Sequence, residues 1–85
     1  MNKIFIDVET SGLDPQTNGI IQLACIIGKE EFSINIKPFK NCKYDDKALE
    51  INNTTREQIN TYTNEKEALY RFMWFLETFT KRAAI

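Results

Sequence analysis

The chain has 85 residues, with eleven Lys and Arg against twelve Asp and Glu, a formal charge of −1 and no histidine. That length holds one small domain, residues 1–85, and no second, while 42% hydrophobic residues with three Gly and two Pro exclude a disordered, collagenous or low-complexity chain. The even charge balance argues against a protein held to nucleic acid by bulk electrostatics, and the missing histidine excludes His-based triads and His-ligated zinc, so hydrolytic chemistry here must use carboxylates and metal.

Ile4, Ile6 and Val8 alternate with Phe5, Asp7 and Glu9, a period of two that predicts a strand from about Lys3 to Glu9. Thr10-Ser11-Gly12-Leu13-Asp14-Pro15 breaks it. Ile20-Ile21-Gln22-Leu23-Ala24-Cys25-Ile26-Ile27 is nearly continuous and β-branched, the pattern of a second strand covered on both faces. After a short turn at Gly28-Lys29-Glu30, Phe32, Ile34 and Ile36 alternate with Ser33, Asn35 and Lys37 until Pro38 stops a third strand with a wetter outer face.

From Lys37 to Lys47 the chain is polar and irregular. Lysines at 37, 40, 43 and 47 interleave with Phe39 and Tyr44, a mixture that could meet phosphates and stack a base, but Asp45 and Asp46 halve the local charge and favour a solvated loop. Asp46 to Ile51 predicts one or two helical turns. Thr54 and Glu57 have the spacing of a capping box, which predicts a short helix through Ile59, and Asn64 with Glu67 is a similar start signal. Ala68, Leu69, Phe72, Met73, Leu76 and Phe79 recur at three- and four-residue steps, predicting an amphipathic helix to about Lys81 with Phe72, Trp74, Phe75 and Phe79 as core. The order implies an α/β fold: a three-stranded antiparallel meander with a C-terminal helix on one face.

Cys25 and Cys42 are too few for a disulfide scaffold and lack CxxC spacing, so reduced thiols in the cytoplasm are the expectation, Cys25 buried in the second strand. The N-terminus reaches Asp7 before any secretory apolar core could form, and no apolar run approaches the ~18 residues of a membrane span. A soluble, untargeted protein with no membrane partner is expected. A chain this small buries only about 60–65% of its unfolded surface, so a partner or a metal would help to stabilise it.

Asp7 and Glu9, two apart in a strand, leave the same face with attachment points about 6–7 Å apart. Acids are depleted in strands, and a compensating cation is expected beside them. Divalent Mg²⁺ or Mn²⁺ suits their oxygens, and two such ions about 3.5–4 Å apart can activate water and stabilise the leaving oxygen of a phosphodiester. The alternative is a strand end whose acids face water or pair with Lys3.

Residues Ile4 to Pro15, read as IFIDVETSGLDP, followed by Ile20-Ile21-Gln22-Leu23-Ala24, closely resemble the first motif of the DnaQ-like (DEDD) 3′-to-5′ exonucleases, which have a ribonuclease-H-like fold. Ile36-Lys37-Pro38 and the stretch from Ala48 to Ile59 resemble the family's "KP" strand end and its A-x-x-h-[HN]-G-I-T-x-E-x-h segment. The resemblance covers essentially the whole chain but only the N-terminal half of the family's domain. It implies that Asp7 and Glu9 are catalytic metal carboxylates, Asp7 touching both ions and Glu9 one. It further implies that Thr10, Ser11 and Gly12 belong to the substrate-binding turn, with the Thr10 N–H near a 3′-hydroxyl. Leu13 would wedge against the terminal bases, and Ile51 and Asn52 would contact the terminal base. Read alone, residues 10–12 are a strand-ending turn, Leu13 could be core, and Ile51 could be a buried helix end. Asn53 stands where the family has glycine, and asparagine tolerates the left-handed backbone such a turn needs. Thr54 replaces an apolar residue, and Gln22 stands where some members carry Glu.

The family's later motifs, patterned H-N-x-x-F-D and then H-x-x-x-x-D or Y-x-x-x-D, have no match in these residues, so no general base is assigned. In the family's sheet the first strand is central, and the strand on its far side would begin just after Ile85; without it the first strand is an edge that invites pairing with another chain. The resemblance thus implies the N-terminal half of a metal-dependent exonuclease domain that acts on single-stranded DNA or RNA 3′ ends and, when complete, releases nucleoside 5′-monophosphates. Its partner would be a second chain bearing the other half, or a copy of itself. The alternative is a non-catalytic exonuclease-like module associated with a polymerase or nuclease.

Overall fold

The computed structural model describes residues 3–80. Three strands, β1 (Ile4–Thr10), β2 (Ile20–Ile27) and β3 (Glu30–Lys37), pair antiparallel in chain order. Two short helices, α1 (Asp46–Ile51) and α2 (Arg56–Asn60), lead to β4 (Thr63–Asn64) and the long helix α3 (Glu65–Thr80). Strand β4 joins β3 in parallel through Ile36↔Thr63 and Lys37↔Asn64, giving the order β1-β2-β3-β4 with β1 at the edge. The meander and its helix stand as predicted. The fourth strand is an addition, because two residues carry no periodicity to read.

Burial is one-sided. Ile21, Leu23, Cys25 and Ile27 are buried while Ile20, Gln22 and Ile26 between them are exposed, so β2 is covered on one face and not on both. A continuous apolar run reads as doubly covered, but among the described residues only α3 and the α1–α2 segment lie against this sheet, and both pack on the same set of alternate residues. From α3, Ala68, Phe72 and Phe75 reach Leu23, Cys25 and Ile27, with the Phe75 ring centroid 5.2 Å from that of Phe32. Burial pushes the Cys25 thiol pKa up, since the thiolate would lose its hydration there. Trp74 is 62% exposed, against the expectation of a core role. At 100° per residue the position before buried Phe75 turns off the sheet-facing stripe. The predicted end of this helix at Lys81 lies outside the described residues.

Local signals explain the short helices. The Asp45 carboxylate caps α1 by accepting from the Lys47 N–H at 2.9 Å. The capping box of α2 lies one residue later than its spacing suggested. Thr55 Oγ1 accepts from the Gln58 N–H at 3.1 Å, and Gln58 Oε1 accepts from the Thr55 N–H at 2.9 Å. Thr54 instead donates its hydroxyl to the Asn52 carbonyl. Between the helices Asn53 adopts φ 52°, the left-handed conformation expected of asparagine at this turn. Ile59, fully buried, packs with Leu49 and Ile21 and fastens both short helices to the end of β2.

Ser11 ties the β1–β2 connection to the loop before α1. Its side chain is 0% exposed, its hydroxyl donates to the Lys43 carbonyl at 2.7 Å and accepts from the Gly19 N–H at 3.0 Å, and its carbonyl accepts from the Asp45 N–H at 2.6 Å. Gly12 follows without a Cβ because one there would meet the Asn18 side chain at 2.5 Å. Replacing Ser11 by Ala removes the acceptor of the Gly19 N–H in a partly buried site. A stability loss of about 1–3 kcal/mol in urea denaturation and faster hydrogen exchange at the Gly19 amide are the expected outcomes.

Candidate functional site

Directly opposed residues of antiparallel strands share a face. Ile4, Ile6 and Val8 stand opposite Ile27, Cys25 and Leu23, hence on the α3 side, which leaves Asp7 opposite Ala24 and Glu9 opposite Gln22 on the open face. The register continues to β3, where Ala24 faces Ser33 and Gln22 faces Asn35. Two polar rows result. Asp7 shares its row with the small residues Ala24 and Ser33, and Glu9 with the amides Gln22 and Asn35.

The two acids point to one side, as the period of two requires, and neither joins an ion pair among the described residues. The pairs present are Arg56 with Asp46 at 2.6 Å and Arg71 with Glu67 at 3.5 Å, so Lys3 does not hold either strand acid. Immediately after Glu9 the pairing slips: Glu9 opposes Gln22 and Thr10 opposes Ile20, leaving Ile21 as the extra residue of a bulge. Such a bulge bends the strand and re-aims the side chains beside it.

That bend meets the end of α1. Asn52, at the α1 C-cap, donates from Nδ2 to the Thr10 carbonyl at 3.2 Å, and Ile51 beside it is 74% exposed rather than buried. A cavity of about 430 Å³ opens between helix end and sheet, its polar groups drawn from Glu9, Gln22, Asn35, Asn52, Thr54 and Tyr62. Glu9, Ile51 and Asn52, from distant parts of the sequence, thus share one cavity. Asp7 lies one pleat repeat back along β1.

Thr10, Gly12 and Leu13 line a second groove. Thr10 donates its hydroxyl to the Gly12 carbonyl at 2.8 Å, and Leu13 is 98% exposed, so the alternative of a core leucine is removed. Ser11 reaches neither groove with its side chain, which is spent within the loop. Asn35, Thr54 and Tyr62 were not marked by sequence reasoning. Asn35 becomes recognisable once the strand register puts it in the Glu9 row, whereas nothing local marks Tyr62.

As metal donors, Asp7 and Glu9 supply hard carboxylate oxygens on one open face, which suits Mg²⁺ or Mn²⁺. Among the described residues no group of three His, Cys, Asp or Glu assembles. The pair therefore fits as part of a ligand shell that water or further groups would complete.

The family model RNase_T, described as an exonuclease, matches residues 4–84. Ribonuclease T of Buchnera aphidicola subsp. Baizongia pistaciae is 33% identical over 78 residues, covering 79% of this chain and 36% of that protein. DNA polymerase III PolC-type of Thermotoga maritima is 32% identical over 79 residues, covering 87% of this chain and 6% of that protein. The chain therefore spans about a third or less of the curated relatives it matches. Two solved structures superimpose on 91% of the chain: a 3′-exonuclease described in 3′-end-specific recognition of histone mRNA stem-loop, at TM-score 0.73 and 16% identity over 30% of its own length, and a full-length 3′-exonuclease, at TM-score 0.74 and 15% identity over 29% of its length. The sheet and helix are accordingly part of a ribonuclease-H-like domain, and the chain belongs to the DnaQ-like exonuclease family.

Proposed function

We propose that this chain provides the acidic strand and the terminal-nucleotide pocket of a metal-dependent 3′-to-5′ exonuclease acting on single-stranded DNA or RNA ends. The observation that carries the reading is the convergence of Glu9, Ile51 and Asn52 on one cavity, with Asp7 on the same face of β1 and no cation of the protein paired to either acid among the described residues. Asp7 and Glu9 would hold Mg²⁺ or Mn²⁺, which when bound supplies activation of water and charge stabilisation at the scissile phosphate. Asn52 holds the Thr10 backbone in place; the exposed Ile51 side chain would border a terminal nucleotide from the first cavity, and Thr10 and the exposed Leu13 from the second groove. Ser11 and Gly12 shape that turn from within.

A second reading, a non-catalytic exonuclease-like module bound to a polymerase or nuclease, draws on the same donor set. Two carboxylates alone give an ion few protein ligands. Both readings include association with a second chain or copy, because among the described residues β1 is a sheet edge whose Ile4, Ile6 and Val8 are exposed.

Titration with Mn²⁺ should broaden amide resonances around Asp7 and Glu9, and Asp7→Asn should weaken the ion at least about tenfold, since even outer partners of metal ligands are worth that much. Absence of binding to the wild-type chain would remove the metal-dependent reading. Mn²⁺-dependent cleavage of 5′-labelled single-stranded DNA that vanishes in Asp7→Asn supports the nuclease; ion binding without cleavage supports the module. Sedimentation at micromolar concentration should show association, and a well-dispersed monomer would contradict it.

A further inference from the structure

We propose that Gln22 and Asn35 form a base-reading subsite, hydrogen-bonding the edge of the nucleobase whose sugar-phosphate end lies toward Asp7 and Glu9; this rests on the function proposed above and adds two residues to it. The register sets Glu9, Gln22 and Asn35 in one row across three adjacent strands, and all three line the same cavity. Successive strands are about 4.8 Å apart, so the row runs outward from the carboxylate as amide, then amide. Its volume of about 430 Å³ lies within the range of small-ligand sites.

Electrostatics fixes the orientation. Among the described residues Glu9 is the one carboxylate in the cavity wall and no Lys or Arg lines it, and a phosphate approaches Glu9 only with a cation between them, so the anionic end of a nucleotide belongs at the Asp7–Glu9 side. The uncharged base then falls on the amides. Among the described residues neither amide has an internal hydrogen-bond partner, although each carries an NH₂ donor and a carbonyl acceptor. An amide pairs bidentately with a base edge that sets a donor beside an acceptor, as adenine does with N6 and N7. Exposed Ile51 and the half-buried Tyr62 ring border the same space and offer apolar surface to the base.

Both residues are exposed positions on the open face, so truncating them leaves the core intact. The test is calorimetric titration of the whole chain with AMP and with ribose 5-phosphate in the presence of Mn²⁺. AMP should bind the wild-type chain more tightly than ribose 5-phosphate. Gln22→Ala and Asn35→Ala should each weaken AMP about three- to tenfold, the loss of one or two hydrogen bonds of ordinary net strength, while Mn²⁺ and ribose 5-phosphate bind as before. Unchanged AMP affinity in both variants, or no preference for AMP in the wild type, overturns the subsite. If Mn²⁺ still binds at Asp7 and Glu9 in that case, the exonuclease reading stands without it; if neither ion nor nucleotide binds, both fall.

Discussion

The fully buried Ser11 hydroxyl is the constraint on which the candidate site depends. Strand β1 and helix α1 are separated by more than thirty residues, and Ser11 joins them: its hydroxyl is shared between the Gly19 N–H and the Lys43 carbonyl, and its own carbonyl takes the Asp45 N–H. Asp45 in turn caps α1. A hydrogen bond in a buried site is worth little net when made but costs the full desolvation of its groups when broken. The connection is therefore held by the penalty for leaving it. With α1 started there, its end falls at the β1 terminus, where Asn52 donates to the Thr10 carbonyl.

The electrostatics of the open face follow from the same geometry. Carboxylates between apolar residues of a strand need water, a cation or a protein partner. Asp7 and Glu9 lie on the face opposite α3, and among the described residues neither joins an ion pair. Asp7 is exposed and Glu9 partly so, which gives both access to water. That access also means that a single ion held by this pair would remain partly hydrated, as Mg²⁺ usually does.

The fold was legible wherever a residue's own neighbours decide its environment. Alternation in Ile4–Glu9 and Phe32–Lys37 and the Ala68–Phe72–Phe75–Phe79 spacing carry their periods in the sequence, and Asn53 takes the positive φ that its side chain tolerates. What failed depended on distant parts. Whether β2 is covered once or twice is decided by what else packs on the sheet, and Trp74 differs from Phe75 only by its direction around the helix axis. The same division holds in the site. Spacing puts Asp7 and Glu9 on one face and the family resemblance marks them as candidate carboxylates, whereas Gln22 and Asn35 acquire a relation to Glu9 only through strand register, and Tyr62 only through the docking of α2 beneath Ile21.

The two acids are not held equally. Glu9 lies next to the bulge and the Asn52–Thr10 hydrogen bond, with Ser11 fastened two residues on. Asp7 sits at the middle of β1, farther from those contacts; among the described residues this strand pairs with β2 alone, and the inward aromatics of α3 pack over β2 and β3 while Ile4, Ile6 and Val8 remain exposed. A strand paired on one side and uncovered on its apolar face opens at low free energy. Were the partner proposed above to pair with the β1 edge that is open among the described residues, it would therefore order Asp7 more than Glu9. Because coupling between binding events is reciprocal, an ion at the acids would strengthen pairing at the edge by whatever factor that ordering strengthens the ion.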